Sequence, residues 1–117
     1  MNNQPILYRS NKKNKKYVLD YMGKRIHFGA KGYRDYTLMH DKNSKFYEPD
    51  ELEREKIKFR YLKRHQNDKL DEISPGALAY FILWNRPTIK ESIKDFKILF
   101  DIKILDNSDE VYKKIKL

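Results

Sequence analysis

No cysteine occurs among the 117 residues. Disulfide staples and thiolate metal sites are therefore excluded, and the chain can work in a reducing compartment. Long apolar runs are missing too. The longest, Ala77 to Trp84, is less than half of the roughly 20 residues a membrane helix needs. The opening Met1–Ser10 stretch has no apolar h-region, so a secretory signal is not expected. Histidine is scarce. His27, His40 and His65 share no H-x-x-x-H or H-E-x-x-H spacing that would point to a metal centre. The stretch from Gly29 to Gly32 is too short for a phosphate loop and lacks Lys-Ser/Thr in the right place. A G-x-S-x-G elbow and a dinucleotide glycine fingerprint are both absent. No cofactor and no membrane partner are expected.

What the chain has in excess is positive charge. The formal net charge is +9. Residues 1–46 hold 11 Lys/Arg against 3 Asp/Glu, whereas residues 47–117 hold 15 against 14. A basic patch beside a balanced body favours a polyanionic partner, nucleic acid above all, although a lysine-rich surface also serves solubility. Aromatics make up 14% of the chain. Disordered chains are poor in them, so this one should fold. The length suits one domain.

The core is most legible between Ser74 and Phe100. Ser74 is a good N-cap, and Pro75 fits the first helical position because its missing N–H would be unpaired there. Ala77 to Trp84 is apolar except for the Tyr80 tip, as in a helix buried on several sides. Asn85-Arg86-Pro87 breaks it. Thr88 and Glu91 form a capping box, and Ile89, Ile93, Phe96 and Phe100 follow on one helical face. An earlier helix is expected from Pro49 to about His65, with acids at its start and bases in its last turns. Leu52, Phe59 and Leu62 form one apolar stripe on it, and Ile57 and Tyr61 a second. Trp84 should be buried, near Phe59, Leu62, Ile93 and Phe96.

Upstream, Tyr17–Met22 and Arg25–Phe28 are rich in strand formers and flank a Gly23-Lys24 turn, which predicts a β-hairpin. Ile26 and Phe28 alternate with Arg25 and His27. Residues 1–16 read as a flexible basic arm, with Ile6-Leu7-Tyr8 able to dock on the body. Asp101 to Leu105 alternates enough for a short third strand, and residues 106–117 read as a polar tail. The expected fold is a single α+β domain over residues 17–105, with the hairpin packed on about three helices.

Phosphate contacts are expected from Lys12, Lys13, Lys15, Lys16, Lys24 and Arg25, and from Lys56, Arg60, Lys63 and Arg64 on one side of the first long helix. Glu53 and Glu55 could instead pair with the helical bases on a merely solvated face. Tyr17, Tyr21, Tyr33 and Tyr36 interleave with basic residues, as a base-stacking surface needs, but tyrosines in a small domain more often serve its packing, which is the favoured reading. The apolar helix at Ala77–Trp84 could not read a groove, so no helix-turn-helix is expected. A small enzyme with a histidine-based site is a further alternative, for instance through His40 and Asp41.

Several stretches follow one another along the chain: Gly23-Lys24-Arg25-Ile26-His27-Phe28-Gly29; Tyr33-x-Asp35-Tyr36-Thr37 with His40; Arg60-Tyr61-x-x-Arg64-His65; Ser74-Pro75-Gly76-Ala77-Leu78; and Leu83-Trp84-Asn85 followed by Ser92-Ile93. In this order they resemble a family of small uncharacterised basic proteins of giant, nucleocytoplasmic large DNA viruses, over roughly Tyr17 to Phe100. The resemblance implies a virion component that also passes through the host cytoplasm, and no catalytic residue. Arg64-His65 is the shared polar pair, expected to bond a carbonyl or carboxylate inside the domain. The leading expectation is a non-enzymatic virion protein that binds DNA non-specifically or packs in the capsid or core. A capsid or core protein–protein module without nucleic-acid binding is the alternative within that setting.

Overall fold

The structure, a computed structural model, describes residues 4–68, 70 and 73–113. The outer ends of the expected arm and tail lie outside the described residues, as does part of the polar connection before Ile73. Strand β1 (Ile6–Arg9) runs antiparallel to β2 (Lys15–Tyr21), which pairs with β3 (Lys24–Ala30). Strand β4 (Leu105–Val111) lies parallel to β1 on its other side, giving the order β3-β2-β1-β4. The fold class is α+β, as the hydrophobic patterning predicts.

The flexible-arm expectation is corrected here. Leu7 stands opposite Leu19, which stands opposite Ile26, so one face of three strands is apolar and faces the core. Leu7 is completely buried. Burying such a side chain stabilises by about 1.5–3 kcal/mol, and the neighbouring Arg9, Lys12 and Lys13 stay in water while it does so. The tail is corrected as well. Leu105–Val111 is polar and a poor strand by propensity, yet β1 offers it an unpaired row of backbone groups, and it closes one edge of the sheet. Ile102 and Ile104, expected in that strand, pack on the core from the preceding loop instead.

The short helix α1 (Tyr36–His40) has no counterpart in the hydrophobic patterning. Asp35 caps it, accepting from the Leu38 amide at 2.9 Å and from the Thr37 hydroxyl at 2.6 Å. Helix α2 (Glu51–Arg64) starts on the Asp50 cap, with Glu51 and Glu53 in its first turn and Lys63 and Arg64 in its last, each suited to the helix dipole. Helix α3 (Pro75–Leu78) starts on the Ser74 cap and widens into a π-helical segment (Ala79–Leu83), where the Trp84 amide bonds the Ala79 carbonyl at 3.2 Å. Helix α4 (Ile89–Phe100) follows the Thr88 cap, and its Ile89, Ile93, Phe96 and Phe100 all join the core cluster as their spacing predicts. The break between them is clamped: Asn85 and Arg86 both bond Asp95, and Lys58 donates to the Asn85 carbonyl at 2.6 Å.

Trp84 is buried, but its ring partner is Tyr61, stacked at 4.1 Å between centroids. Phe59, expected beside it, is 66% exposed, and Leu52 lies outward too. Leu62 of the same stripe does pack on the core, as do the expected Ile93 and Phe96, while the Ile57–Tyr61 side of the helix turns inward and leaves Leu52 and Phe59 in water.

A basic cleft with an aromatic wall

The faces that α2 and the π-helical segment turn toward the end of β3 enclose a cleft of about 450 Å³. Helix α2 contributes Ile57, Arg60, Tyr61, Arg64 and His65, spaced i, i+3, i+4, i+7 and i+8 on one face. The π-helical segment and its end contribute Ala79, Leu83 and Trp84. The sheet side supplies Lys16, Gly29 and Ala30, and the loop before α1 supplies Tyr33, Arg34 and Asp35. Gly29 makes the close approach feasible. Its φ is +80°, and a Cβ there would sit 2.8 Å from Leu83 Cδ1.

The floor holds an ion pair. Lys16 Nζ is 2.7 Å from Asp35 Oδ2 and donates equally closely to the Tyr33 carbonyl. Asp35 is 1% exposed and the Lys16 side chain 12%. An ammonium has three N–H groups, so one remains after these two bonds. Above the floor stand three guanidinium groups. Arg34 and Arg64 are exposed and form no ion pair among the described residues. Arg60 has only a long 3.8 Å contact to Glu53. An exposed pair of that kind is weak and easily exchanged.

One wall is a stack of three rings: Trp84 on Tyr61, and Tyr61 on His65 with centroids 4.2 Å apart. Burial, followed by the nearby Asp68 carboxylate, pushes the Tyr61 hydroxyl up to about 12, so it stays neutral at physiological pH. His65 Nδ1 lies 2.9 Å from Asp68 Oδ2. The shared Arg64-His65 pair thus splits: His65 bonds a carboxylate, and Arg64 faces the cleft opening.

Of the ten bases expected to contact phosphate, the fold brings Lys16, Arg60 and Arg64 to this cleft. Lys16 is already committed to Asp35, so it is a fixed floor group rather than the free surface cation expected. Lys56 and Lys63 share a side of α2 with Arg60 and Arg64, as expected, but lie at its outer edge, turned away from the Ile57–Tyr61 side, and so are exposed without lining the cleft. Lys12 and Lys13 lie in the β1–β2 connection, and Lys15 opposite Ala30, at the same end of the sheet but outside the cleft. Lys24 and Arg25 sit at the other end of β3, roughly 20 Å away at about 3.3 Å per residue. Sequence reasoning missed Arg34, Asp35 and the Tyr61–Trp84 stack. The adjoining Lys31-Gly32-Tyr33-Arg34 run was the available signal for Arg34.

Of the two readings of the four tyrosines, the favoured one, packing, holds for Tyr17, Tyr21 and Tyr36. Tyr36 is buried, and Tyr17 packs against Phe28. Tyr33 alone of the four is largely exposed, at 70%. The remaining histidines point elsewhere. His40 bonds the Tyr36 carbonyl at 2.8 Å. His27 Nδ1 meets the Ser10 hydroxyl at 2.7 Å. Among the described residues no three metal-ligating side chains are grouped to hold an ion, and no helix is long and apolar enough to cross a membrane.

Fold and site together define a small α+β domain bearing a cationic, aromatic-walled cleft. Residues 6–48 match a Family of unknown function (DUF5754), a span that covers β1 to the loop after α1 and includes Lys16, Tyr33, Arg34 and Asp35. The α2 wall of the cleft lies beyond that match. Neither the curated proteins nor the solved structures yielded a match.

Proposed function

We propose that this is a non-enzymatic nucleic-acid-binding protein that holds the phosphate backbone through its arginine cleft. The observation that carries the reading is the convergence of Arg34, Arg60 and Arg64, from two separate segments, on one concavity with no close carboxylate partner for any of them among the described residues. Guanidinium groups suit phosphate because their fork of donors matches its oxygens. Contacts of this type carry no sequence information, so binding is non-specific. The resemblance to proteins of giant viruses supports a setting in the virion, reached through the host cytoplasm, where packaged DNA is the abundant polyanion.

The test is binding of a labelled random-sequence duplex across a salt series, for the parent and for Arg34→Gln/Arg60→Gln/Arg64→Gln. The slope of log affinity against log salt should flatten by about 0.9 for each phosphate that is no longer neutralised, nearly 3 in all. A parent without binding at about 50 mM salt, where phosphate attraction is strong, overturns the reading, as does a triple variant with the parental slope.

Two other readings each have an observation behind them. Leu52 and Phe59 are exposed on α2, away from the cleft, which supports a capsid or core protein–protein module. Retention of Phe59→Ser by every protein partner in particle cross-linking would remove that support. His65 lines the cleft with Asp68 behind its Nδ1, the arrangement of a general base with an orienting carboxylate. Cleavage of RNA or DNA that is lost in His65→Gln would favour this histidine-based enzyme over a binder.

A further inference from the structure

The cleft does not end at Tyr33. A second hollow of about 220 Å³ shares Lys16 and Tyr33 with it and is bordered by Arg9 and Lys31. Two concavities therefore meet at one exposed tyrosine ring, with Arg60 and Arg64 on one side and Arg9 and Lys31 on the other. Tyr33 is 70% exposed and makes no ring contact with any described residue. A large aromatic left in water between two basic hollows has a π-face to offer, and base–aromatic stacking is the interaction that uses it.

We infer that the two hollows form one track for single-stranded nucleic acid, in which Tyr33 stacks on an unpaired base while the flanking cations follow the backbone. The inference rests on the nucleic-acid reading above and narrows it from polyanion to unpaired strand. A duplex hides its base faces in its own stack and could use the rim arginines only. The continuation past Tyr33 is what favours a strand over a free nucleotide, since a lone nucleotide has no second phosphate for Arg9 and Lys31. Lys16, held between the hollows by Asp35, keeps one N–H for a bridging phosphate oxygen.

Anisotropy titrations of the full chain would use fluorescent dT10, a ten-base-pair duplex, unlabelled dTMP as competitor, and a polyglutamate peptide of the same charge as dT10. The parent should bind dT10 at least tenfold more tightly than the duplex. Tyr33→Ala should weaken dT10 binding by roughly 5- to 150-fold, the range for removing one base stack, and leave duplex binding unchanged. Tyr33→Phe should restore dT10 binding. Because the ring is exposed, the thermal midpoint of Tyr33→Ala should match the parent, so weakened affinity cannot be misfolding. Equal binding of dT10 and duplex with no effect of Tyr33→Ala overturns the strand reading while leaving the phosphate-contact reading standing. Competition by dTMP at concentrations near the dT10 dissociation constant overturns the track in favour of a nucleotide pocket. Polyglutamate binding as tightly as dT10 overturns base stacking. Absence of binding to both DNA forms at low salt overturns this inference and the reading beneath it.

Discussion

Asp35 has two roles at once, and a double-mutant cycle with Lys16 separates them. Its Oδ1 caps α1 through the Leu38 amide, and its Oδ2 meets the Lys16 ammonium at 2.7 Å inside the cleft floor. Asp35→Asn keeps an acceptor for the cap but leaves Lys16 without its counter-charge. Lys16→Met keeps the cap and leaves a carboxylate that is 1% exposed. Breaking one side of a buried pair costs about 3–5 kcal/mol, and the slight access of Lys16 to water places both single variants near the lower end. Removing both charges leaves neither ion stranded, so Lys16→Met/Asp35→Asn should cost about as much as either single change. The coupling is then about 3 kcal/mol, well above the ~0.5 kcal/mol scatter of independent sites. Urea unfolding followed by Trp84 fluorescence and by circular dichroism measures it, with an unchanged m-value as the check on two-state behaviour. Single variants within about 0.5 kcal/mol of the parent, or a double variant equal to the sum of the singles, would refute the buried-pair reasoning.

Three further outcomes are expected. Gly29→Ala should lose about 2–3 kcal/mol in the same unfolding assay, because its Cβ meets Leu83 Cδ1 at 2.8 Å in a left-handed conformation, whereas Gly23→Ala, with φ +75° and open space around it, should lose only about 1. Deleting residues 1–10 should abolish cooperative thermal unfolding, since β1 lies between β2 and β4; a truncated chain with the parental midpoint would show that the sheet closes without it. His27 is held below its ordinary 6.5 by burial first, then by Lys12, Lys15 and Arg25. The unfolded chain thus takes up the proton first, so His27's contribution to stability is complete above about pH 6.5 and is lost as the pH falls through its lower folded value. His27→Gln should remove that portion of the acid-side decline, and an NMR titration midpoint at or above 6.5 would contradict it.

Much of the fold is written in local pattern. The Ser74 and Thr88 caps, the Pro49 start with its following acids, the Gly23 turn and the Ile89–Phe100 spacing each concern residues a few positions apart, where geometry is fixed by the chain itself. Those features predicted three helices and the hairpin in their right places. Residues 105–111 become a strand only because they find β1 across nearly the whole chain, and residues 6–9 because they fit between that strand and β2. The polar, acidic composition of residues 105–111 gives no sign of a strand, and Ile6-Leu7-Tyr8 is too short and too close to a basic run to show that it is buried. The site divides the same way. Arg60 and Arg64 could be placed on a helix from sequence, but which helical face turns inward depended on the fit of Ile57 and Tyr61 against the sheet and Trp84. Lys16 and Asp35 lie 19 residues apart and meet only because β3 brings the following loop back beside β2. Charge and periodicity fixed what the chain could contribute; long-range packing decided which cations are tied up in the fold and which are left facing a partner.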